Sequence, residues 1–186
     1  MQSPFQVQFI GATGTVTGSK YLVKYDRYKI LIDCGLFQGI KNVRRRNWSE
    51  LPFEASAIDA VLLTHAHIDH SGYLPALMKR GFHGPIYCSV ATKALCKVLL
   101  PDAGYLQEED ARYANYKHFS KHEPAEPLYT EEDARKMWPT GINCAVMPPG
   151  RLRISSAATS LICFKTLRAS SSVYKGSAGS CLEKCL

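Results

Sequence analysis

Three histidines and one aspartate stand within six residues of one another and are the side chains of this sequence best suited to chemistry. His65, His67 and His70 supply imidazole nitrogens, and Asp69 supplies a carboxylate. Such donors bind zinc well and do not exclude manganese or iron. The alternative is that Asp69 or Ser71 only caps a helix while the histidines line a polar loop. Three histidines in six residues, together with an aspartate, favour a site for a pair of divalent metals.

The residues around this cluster predict the elements that position it. The apolar run at residues 60–63 suits a short buried strand, so the cluster lies on the loop that leaves the strand. Side chains two residues apart in an extended segment point to the same side, so His65 and His67 can reach one metal together. Residues 73–80 have the apolar spacing of a helix. A turn between loop and helix would direct the other two donors to a second, adjacent metal.

The rest of the chain predicts an alternation of strands and helices. Asp26 and Arg27 are expected to form a hairpin turn, and Ser89 is expected to cap a helix. Strands are expected at residues 5–10, 20–25, 28–32 and 85–88, and helices at residues 91–100 and 107–116, with a further helix starting at residue 131. This mixture indicates an α/β fold.

Four stretches give the sequence a resemblance to a known family. Residues 64–72 resemble the HxHxDH signature of the metallo-β-lactamase superfamily. Residues 9–19 are similar to the first strand and glycine turn of its β-CASP branch, the RNA-processing nucleases related to the cleavage and polyadenylation endonuclease. Residues 30–39, together with residues 46–48, resemble the bacterial members of that branch. The resemblance runs from about Phe5 to about Asp133.

The resemblance implies an α/β fold that forms the first half of the four-layer αββα sandwich of the superfamily. Residues 1–133 are then the N-terminal part of a metallo-β-lactamase domain. Residues 134–186 follow as a divergent, irregular tail that is rich in serine and has no steady period. A reading frame lost after about Lys136 is one explanation of this tail, and a genuinely divergent segment is the other.

The resemblance also implies roles for individual residues. His65 and His67 would bind the first of two divalent metal ions, and Asp69 and His70 the second, with zinc the preferred metal. Asp69 would also be catalytic, and Asp33 would orient a ligand from behind. A hydroxide held between two metals about 3.5–4 Å apart would attack phosphorus. The implied reaction is the hydrolysis of RNA phosphodiester bonds.

The later ligands of the family are not recognisable in this sequence. The family needs another histidine well after the cluster, then a bridging aspartate and a final histidine. No aspartate follows Asp133, and His83, His118 and His122 are expected to be loop or helix-end side chains rather than ligands. Two metals without a bridging group would repel each other, so we expect weak or no activity from this chain.

The charge of the chain is unevenly distributed. The net charge is +7, yet residues 1–133 carry 15 basic and 15 acidic groups. The remaining eight lysines and arginines face Glu183 as their only acid. The overall basicity therefore does not indicate an RNA-binding groove.

One basic stretch still has the composition of a nucleic-acid contact. Arg44, Arg45 and Arg46, with Trp48 close behind, offer cations and a stacking surface for a nucleic-acid backbone. A solvated loop is the alternative for these arginines.

The cysteines and the apolar segments predict the location of the protein. The seven cysteines match no zinc or redox motif, so we expect free thiols in a reducing compartment. The sequence has no cleavable apolar leader and no apolar run long enough to span a bilayer. We therefore expect a cytoplasmic protein without a membrane partner. The oligomeric state stays open.

Three functions remain open at this point. The leading hypothesis is the N-terminal, metal-binding part of a β-CASP-type ribonuclease with RNA as its partner. The second is a small-molecule hydrolase of the same superfamily that acts on a thioester or a lactam. The third is an inactive metal-binding remnant. Residues 35–39 and 46–48 favour the nuclease, whereas the missing later ligands favour the remnant.

Overall fold

The computed structural model describes residues 5–118 and 124–138, all within one compact unit, Met1–Val146. Five strands and five α-helices are present in these residues. They are β1 (Gln6–Phe9), β2 (Tyr21–Tyr25), β3 (Tyr28–Ile32), α1 (Lys41–Arg44), β4 (Ala60–Leu62), α2 (Ile68–Ser71), α3 (Leu74–Lys79), β5 (Ile86–Tyr87), α4 (Val90–Tyr116) and α5 (Glu131–Lys136). Two short 3₁₀ helices, Arg45–Trp48 and Ala55–Ala57, lie between α1 and β4.

The strands form a single mixed sheet in the order β1-β2-β3-β4-β5. The first three strands are antiparallel, and β4 and β5 continue parallel to β3. Tyr25 pairs with Tyr28, so Asp26 and Arg27 form the predicted two-residue hairpin turn. Asp26 has a left-handed backbone, with φ of 54°, as such turns require. The sheet and its helices confirm the predicted α/β class.

The parallel pairing of β3 with β4 places the candidate metal donors at one edge of the sheet. Both strands end there, since Ile32 pairs with Leu62 at the last position of each strand. The ladder continues by one bond, in which the Asp33 amide donates to the Leu62 carbonyl at 2.9 Å. Asp33 therefore leaves β3 beside the loop that leaves β4.

The core lies between the sheet and the helices. Burial does not alternate along the central strands, because Val23 is buried beside Leu22 and Ile30 is buried beside Leu31, so both faces of β2 and β3 are covered. Fully buried core residues include Leu22, Leu31, Val61, Leu74, Leu77 and Leu100. Helix α3 buries its N-terminal and central residues, which agrees with the apolar spacing predicted for residues 73–80. This packing fixes the sheet edge to which the donors are attached.

Helix α4 corrects one prediction. The sequence predicts two helices separated near Pro101, but α4 runs without a break for 27 residues. Proline removes a helical hydrogen bond and should weaken the helix. Packing against α5 compensates, because Pro101 is buried and a Cβ at Gly104 would stand 2.7 Å from the Thr130 and Glu131 backbone. The predicted cap is confirmed, since the Thr92 amide donates to the Ser89 hydroxyl at 3.1 Å.

Helix α5 begins as its sequence predicts. The Thr130 hydroxyl accepts the Asp133 amide and the Asp133 carboxylate accepts the Thr130 amide, each at 3.0 Å. This reciprocal pair is a capping box. Asp133 also lies 3.0 Å from the Lys79 ammonium, which links α5 to α3. Of the predicted tail, residues 139–186 lie outside the described residues.

No helix among the described residues combines the length and the apolar character needed to cross a bilayer.

Candidate metal centre

The histidine loop, residues 64–70, leaves β4 and includes the first residues of the short helix α2. His67 stands immediately before α2, and its carbonyl accepts the amides of His70 and Ser71, each at 2.8 Å. The Ser71 hydroxyl donates to the Ala66 carbonyl at 2.9 Å. These bonds turn the chain sharply after His67, so Asp69 and His70 lie in α2 rather than on the loop that the sequence predicts. The loop therefore presents its first two histidines before the turn and its last two donors after it.

The first donor pair is His65 and His67. The His65 Nε2 atom lies 3.1 Å from the His67 Nδ1 atom, and the ring centroids are 4.7 Å apart. Two nitrogens bound to one tetrahedral zinc at about 2.0–2.1 Å lie about 3.3 Å apart. The structure therefore brings these two rings to within a few tenths of an ångström of the separation that a shared metal requires.

The second donor pair is Asp69 and His70. The Asp69 Oδ2 atom lies 3.5 Å from the His70 Nε2 atom. This separation is also close to the roughly 3.3 Å expected for two ligands of one tetrahedral zinc. The His65 and His70 ring centroids are 4.0 Å apart, so the two pairs are neighbours. All four predicted ligands are thus brought together.

Asp33 lies behind these donors and is almost completely buried. Its carboxylate accepts the Ser19 hydroxyl at 3.3 Å, the Thr64 amide at 2.9 Å and the Thr64 hydroxyl at 2.9 Å. It also lies 2.8 Å from His70 Nδ1. A histidine that donates from Nδ1 leaves the Nε2 lone pair for a metal. The geometry therefore suits the predicted orienting role of Asp33.

The pKa values of His65 and His70 are shifted in opposite directions. Burial and the neighbouring His70 lower the pKa of His65. Burial acts in the same direction on His70, but the hydrogen bond to Asp33 and the charges of Asp33 and Asp69 outweigh it and raise the pKa of His70. His70 therefore lies in a more negative electrostatic environment than His65.

The donor pairs do not make a complete set of ligands. Among residues 5–118 and 124–138, no group of three or more His, Cys, Asp or Glu side chains is disposed to hold a metal ion. His83 is exposed in the turn before β5, and His118 follows the end of α4. His122 lies outside the described residues. The described side chains fit two ligands of each of two metals, and further ligands must come from elsewhere.

Replacing Asp33 with asparagine is expected to weaken zinc binding about 10- to 100-fold, the usual effect of losing an outer partner of a metal-binding histidine. Asparagine tolerates the left-handed backbone of Asp33, whose φ is 55°, so the fold should persist. Zinc titration against a competing chelator measures the loss. Asp59→Asn is the matched control, because Asp59 accepts the Lys29 amide at the opposite end of β3. An equal loss in both variants would contradict the orienting role.

The predicted basic stretch is exposed, but its three arginines are not equivalent. Arg44, Arg45 and Arg46 are all exposed, and Trp48 is 55% exposed. The Arg46 guanidinium lies 4.1 Å from the Phe37 ring centroid. It also donates to the Ile10 carbonyl at 3.4 Å. Arg46 is therefore bound to the protein itself, whereas no such partner is found for Arg44 or Arg45 in the part of the chain that the structure describes.

Sequence reasoning missed residues that join this stretch to the metal centre. Asn47 is buried, and its side chain accepts the Phe37 amide at 2.8 Å and donates to the Phe37 carbonyl at 2.9 Å. Lys20 is also buried, beneath the segment that follows Asp33. Residues 46–48 contribute to the family resemblance, but nothing in their sequence distinguishes the buried Asn47 from its exposed neighbours.

The chain belongs to the metallo-beta-lactamase superfamily, whose sequence profile matches residues 13–151. This assignment agrees with the sheet-edge donors and confirms the predicted fold class.

Parts of three known proteins are similar in sequence to this chain. Ribonuclease TTHA0252 of Thermus thermophilus is 43% identical over 99 residues, covering 53% of this chain and 22% of that protein. Transcription termination factor FttA of Methanocaldococcus jannaschii is 31% identical over 130 residues, covering 70% and 18%. "Probable RNase MJ4" of the same organism is 34% identical over 111 residues, covering 60% and 25%. These relatives are consistent with the β-CASP resemblance. The chain spans a quarter or less of their lengths.

Proposed function

We propose that this chain is the N-terminal, metal-binding part of an RNA-hydrolysing enzyme of the metallo-beta-lactamase superfamily. The observation that carries the proposal is the presence of two donor pairs at one sheet edge. The donor atoms of His65 and His67 are 3.1 Å apart, and those of Asp69 and His70 are 3.5 Å apart. The relatives named as ribonucleases support RNA as the substrate class. They do not favour the small-molecule alternative.

Each residue of the site would have a distinct task. His65 and His67 would hold one divalent ion, and Asp69 and His70 the other. Bound metals supply an activated water and stabilise charge that develops on phosphate oxygens. Asp33 would keep the His70 proton on Nδ1 and the ring in a fixed orientation. Asp69 would also be the catalytic carboxylate.

Zinc is the proposed metal for chemical reasons. Imidazole nitrogen and carboxylate oxygen are common zinc ligands, and the donor separations suit tetrahedral bonds of about 2.0–2.1 Å. Manganese and iron accept the same donors. A cytoplasmic location is part of the proposal and is supported by Cys34, which is a buried free thiol.

One assay tests the function against both alternatives. The full chain is loaded with zinc or manganese and incubated with labelled RNA, a chromogenic lactam and a thioester. We expect slow RNA cleavage that a chelator abolishes, without turnover of the other two substrates. Turnover of lactam or thioester without RNA cleavage would assign the chain to the small-molecule hydrolases. Firm metal binding without any reaction would identify an inactive remnant.

Removing the exposed arginines is expected to weaken RNA binding and its dependence on salt. Each contact with a single-strand phosphate contributes about 0.7 to the slope of log affinity against log salt concentration. Arg44→Ala with Arg45→Ala should therefore reduce the slope by about 1 to 1.5. Adding Arg46→Ala should change stability more than the slope, because Arg46 is bound to Phe37. Fluorescence titration with labelled RNA at several salt concentrations measures both effects.

Lys97→Ala is the control for these variants, since Lys97 is an exposed cation on α4. It should leave the salt slope at the wild-type value. A salt slope unchanged by the arginine replacements would show that the basic stretch is a solvated loop and does not contact RNA.

A further inference from the structure

Lys20 is a buried cation that the proposed chemistry does not use. It immediately precedes β2 and is only 2% exposed. Its ammonium donates a hydrogen bond to the Gly35 carbonyl. It also lies 4.8 Å from the Phe37 ring centroid and 4.5 Å from the Tyr73 ring centroid. The ammonium therefore occupies a cage of two aromatic faces and one carbonyl oxygen.

The cage contains no acid to balance this charge. None of the ion pairs found among the described residues includes Lys20. Burial lowers the pKa of Lys20 to about 8, with the neighbouring Cys34 opposing this shift and Arg46 adding to it. Burial also raises the pKa of the Cys34 thiol to about 12, so this neighbour stays neutral at physiological pH. An unpaired buried charge is unfavourable for folding. A methionine would bury a similar stem without that penalty.

The position of Gly35 links the Lys20 ammonium to the backbone of Asp69 and His70. Gly35 lies in the segment between Asp33 and Phe37, directly against the end of the histidine loop. A Cβ on Gly35 would overlap the Asp69 carbonyl and would stand 2.6 Å from the His70 nitrogen. The Gly35 amide donates to the Ser19 carbonyl at 3.0 Å, while the Ser19 amide donates to the Asp69 carbonyl at 2.8 Å.

A second bond completes the connection. The Cys34 amide donates to the His70 carbonyl at 2.7 Å. The backbones of Asp69 and His70 are thus held by Ser19 and Cys34, which flank the Lys20 and Gly35 pair in sequence. A charged donor makes a stronger hydrogen bond to a carbonyl than a neutral donor does. Fixing the Gly35 peptide therefore fixes the surface on which the second donor pair rests.

We propose that Lys20 is a positioning residue for the metal centre: its caged ammonium fixes the Gly35 carbonyl and thereby the backbone that carries Asp69 and His70. This inference rests on the proposed metal-binding function. It assigns Lys20 no contact with metal or substrate. Its effect is on the second donor pair, and the first pair, His65 and His67, lies before the turn and is not held by Gly35.

Lys20→Met separates positioning from a purely structural role. We expect its zinc affinity to fall about tenfold, as for other outer partners of a metal site, while its unfolding midpoint in urea stays equal or rises. Cobalt(II) serves as a second probe, and its visible absorption spectrum should change because the geometry of the second pair is altered. Lys20→Arg keeps a charged donor and should restore most of the affinity and the wild-type spectrum.

Lys24→Met is the matched control, because it removes a lysine from β2 at a position paired with Gln6 and Lys29. It should leave zinc affinity and the cobalt spectrum unchanged. A wild-type chain that binds no zinc would overturn the proposed function and this inference together. A wild-type chain that binds zinc, with Lys20→Met equal to it, would overturn the Lys20 inference alone. Loss of folding and of zinc binding in both Lys20 variants would assign Lys20 to the core and also overturn it.

Discussion

Replacing His67 with alanine is expected to reduce the zinc affinity of this chain by more than about 100-fold, beyond the range for outer partners of a metal site. The reason is the geometry of the first donor pair. His65 Nε2 and His67 Nδ1 are 3.1 Å apart, and His65 alone cannot replace the chelation that two imidazoles provide. The His67 side chain is exposed, so its loss removes a donor without opening a cavity in the core. Stability should change by less than about 0.5 kcal/mol, as at other surface positions.

Zinc titration against a chelator, with urea unfolding of the same samples, measures both quantities for His67→Ala. His83→Ala is the control, because His83 is also exposed and lies in the turn before β5. It should bind zinc as the wild-type chain does. Equal zinc affinity of His67→Ala and the wild-type chain would contradict the placement of a metal between His65 and His67.

The strands and the histidine loop could be predicted from sequence because their signals are local. Short apolar runs mark β2 at residues 22–23 and β3 at residues 30–32, and a two-residue turn joins the strands. The donors fall within six consecutive residues, so no long-range information is needed to bring them together. The proximity of Asp33 to His70 is different, because 37 residues separate them. Only the family resemblance suggested that contact, and the parallel pairing of β3 with β4 produces it.

Other features could not be predicted because they depend on packing. Lysine and asparagine are usually exposed, so nothing in the sequence marks Lys20 and Asn47 as buried. Arg46 resembles the arginines before it, and only the position of the Phe37 ring distinguishes it. Helix α4 continues through Pro101 because its packing on α5 outweighs the local preference for a break. In each case a tertiary contact overrides the average behaviour of the residue type.

A single methyl group added at Gly35 should strongly destabilise the protein. Its Cβ would overlap the Asp69 carbonyl, so alanine must push residues 33–36 away from the histidine loop. That movement would break the bond from the Cys34 amide to the His70 carbonyl, which is 2.7 Å long. Neither partner can rotate away, because both are backbone. We expect Gly35→Ala to reduce the free energy of unfolding by at least about 3 kcal/mol, the upper end for overpacking.

Zinc binding should fall with it, because the displaced backbone carries the second donor pair. Urea unfolding measures the loss of stability. Zinc titration without urea, at a temperature at which the variant is folded, measures the loss of zinc affinity separately. Gly39→Ala is the control. Gly39 has a left-handed φ of 95° and nothing within 4 Å of its Cβ position, so alanine there should cost only about 1–2 kcal/mol of backbone strain. It should leave zinc affinity unchanged. Wild-type stability and zinc affinity in Gly35→Ala would mean that the histidine loop does not rest on residues 33–36, and the support inferred for Asp69 and His70 would be lost.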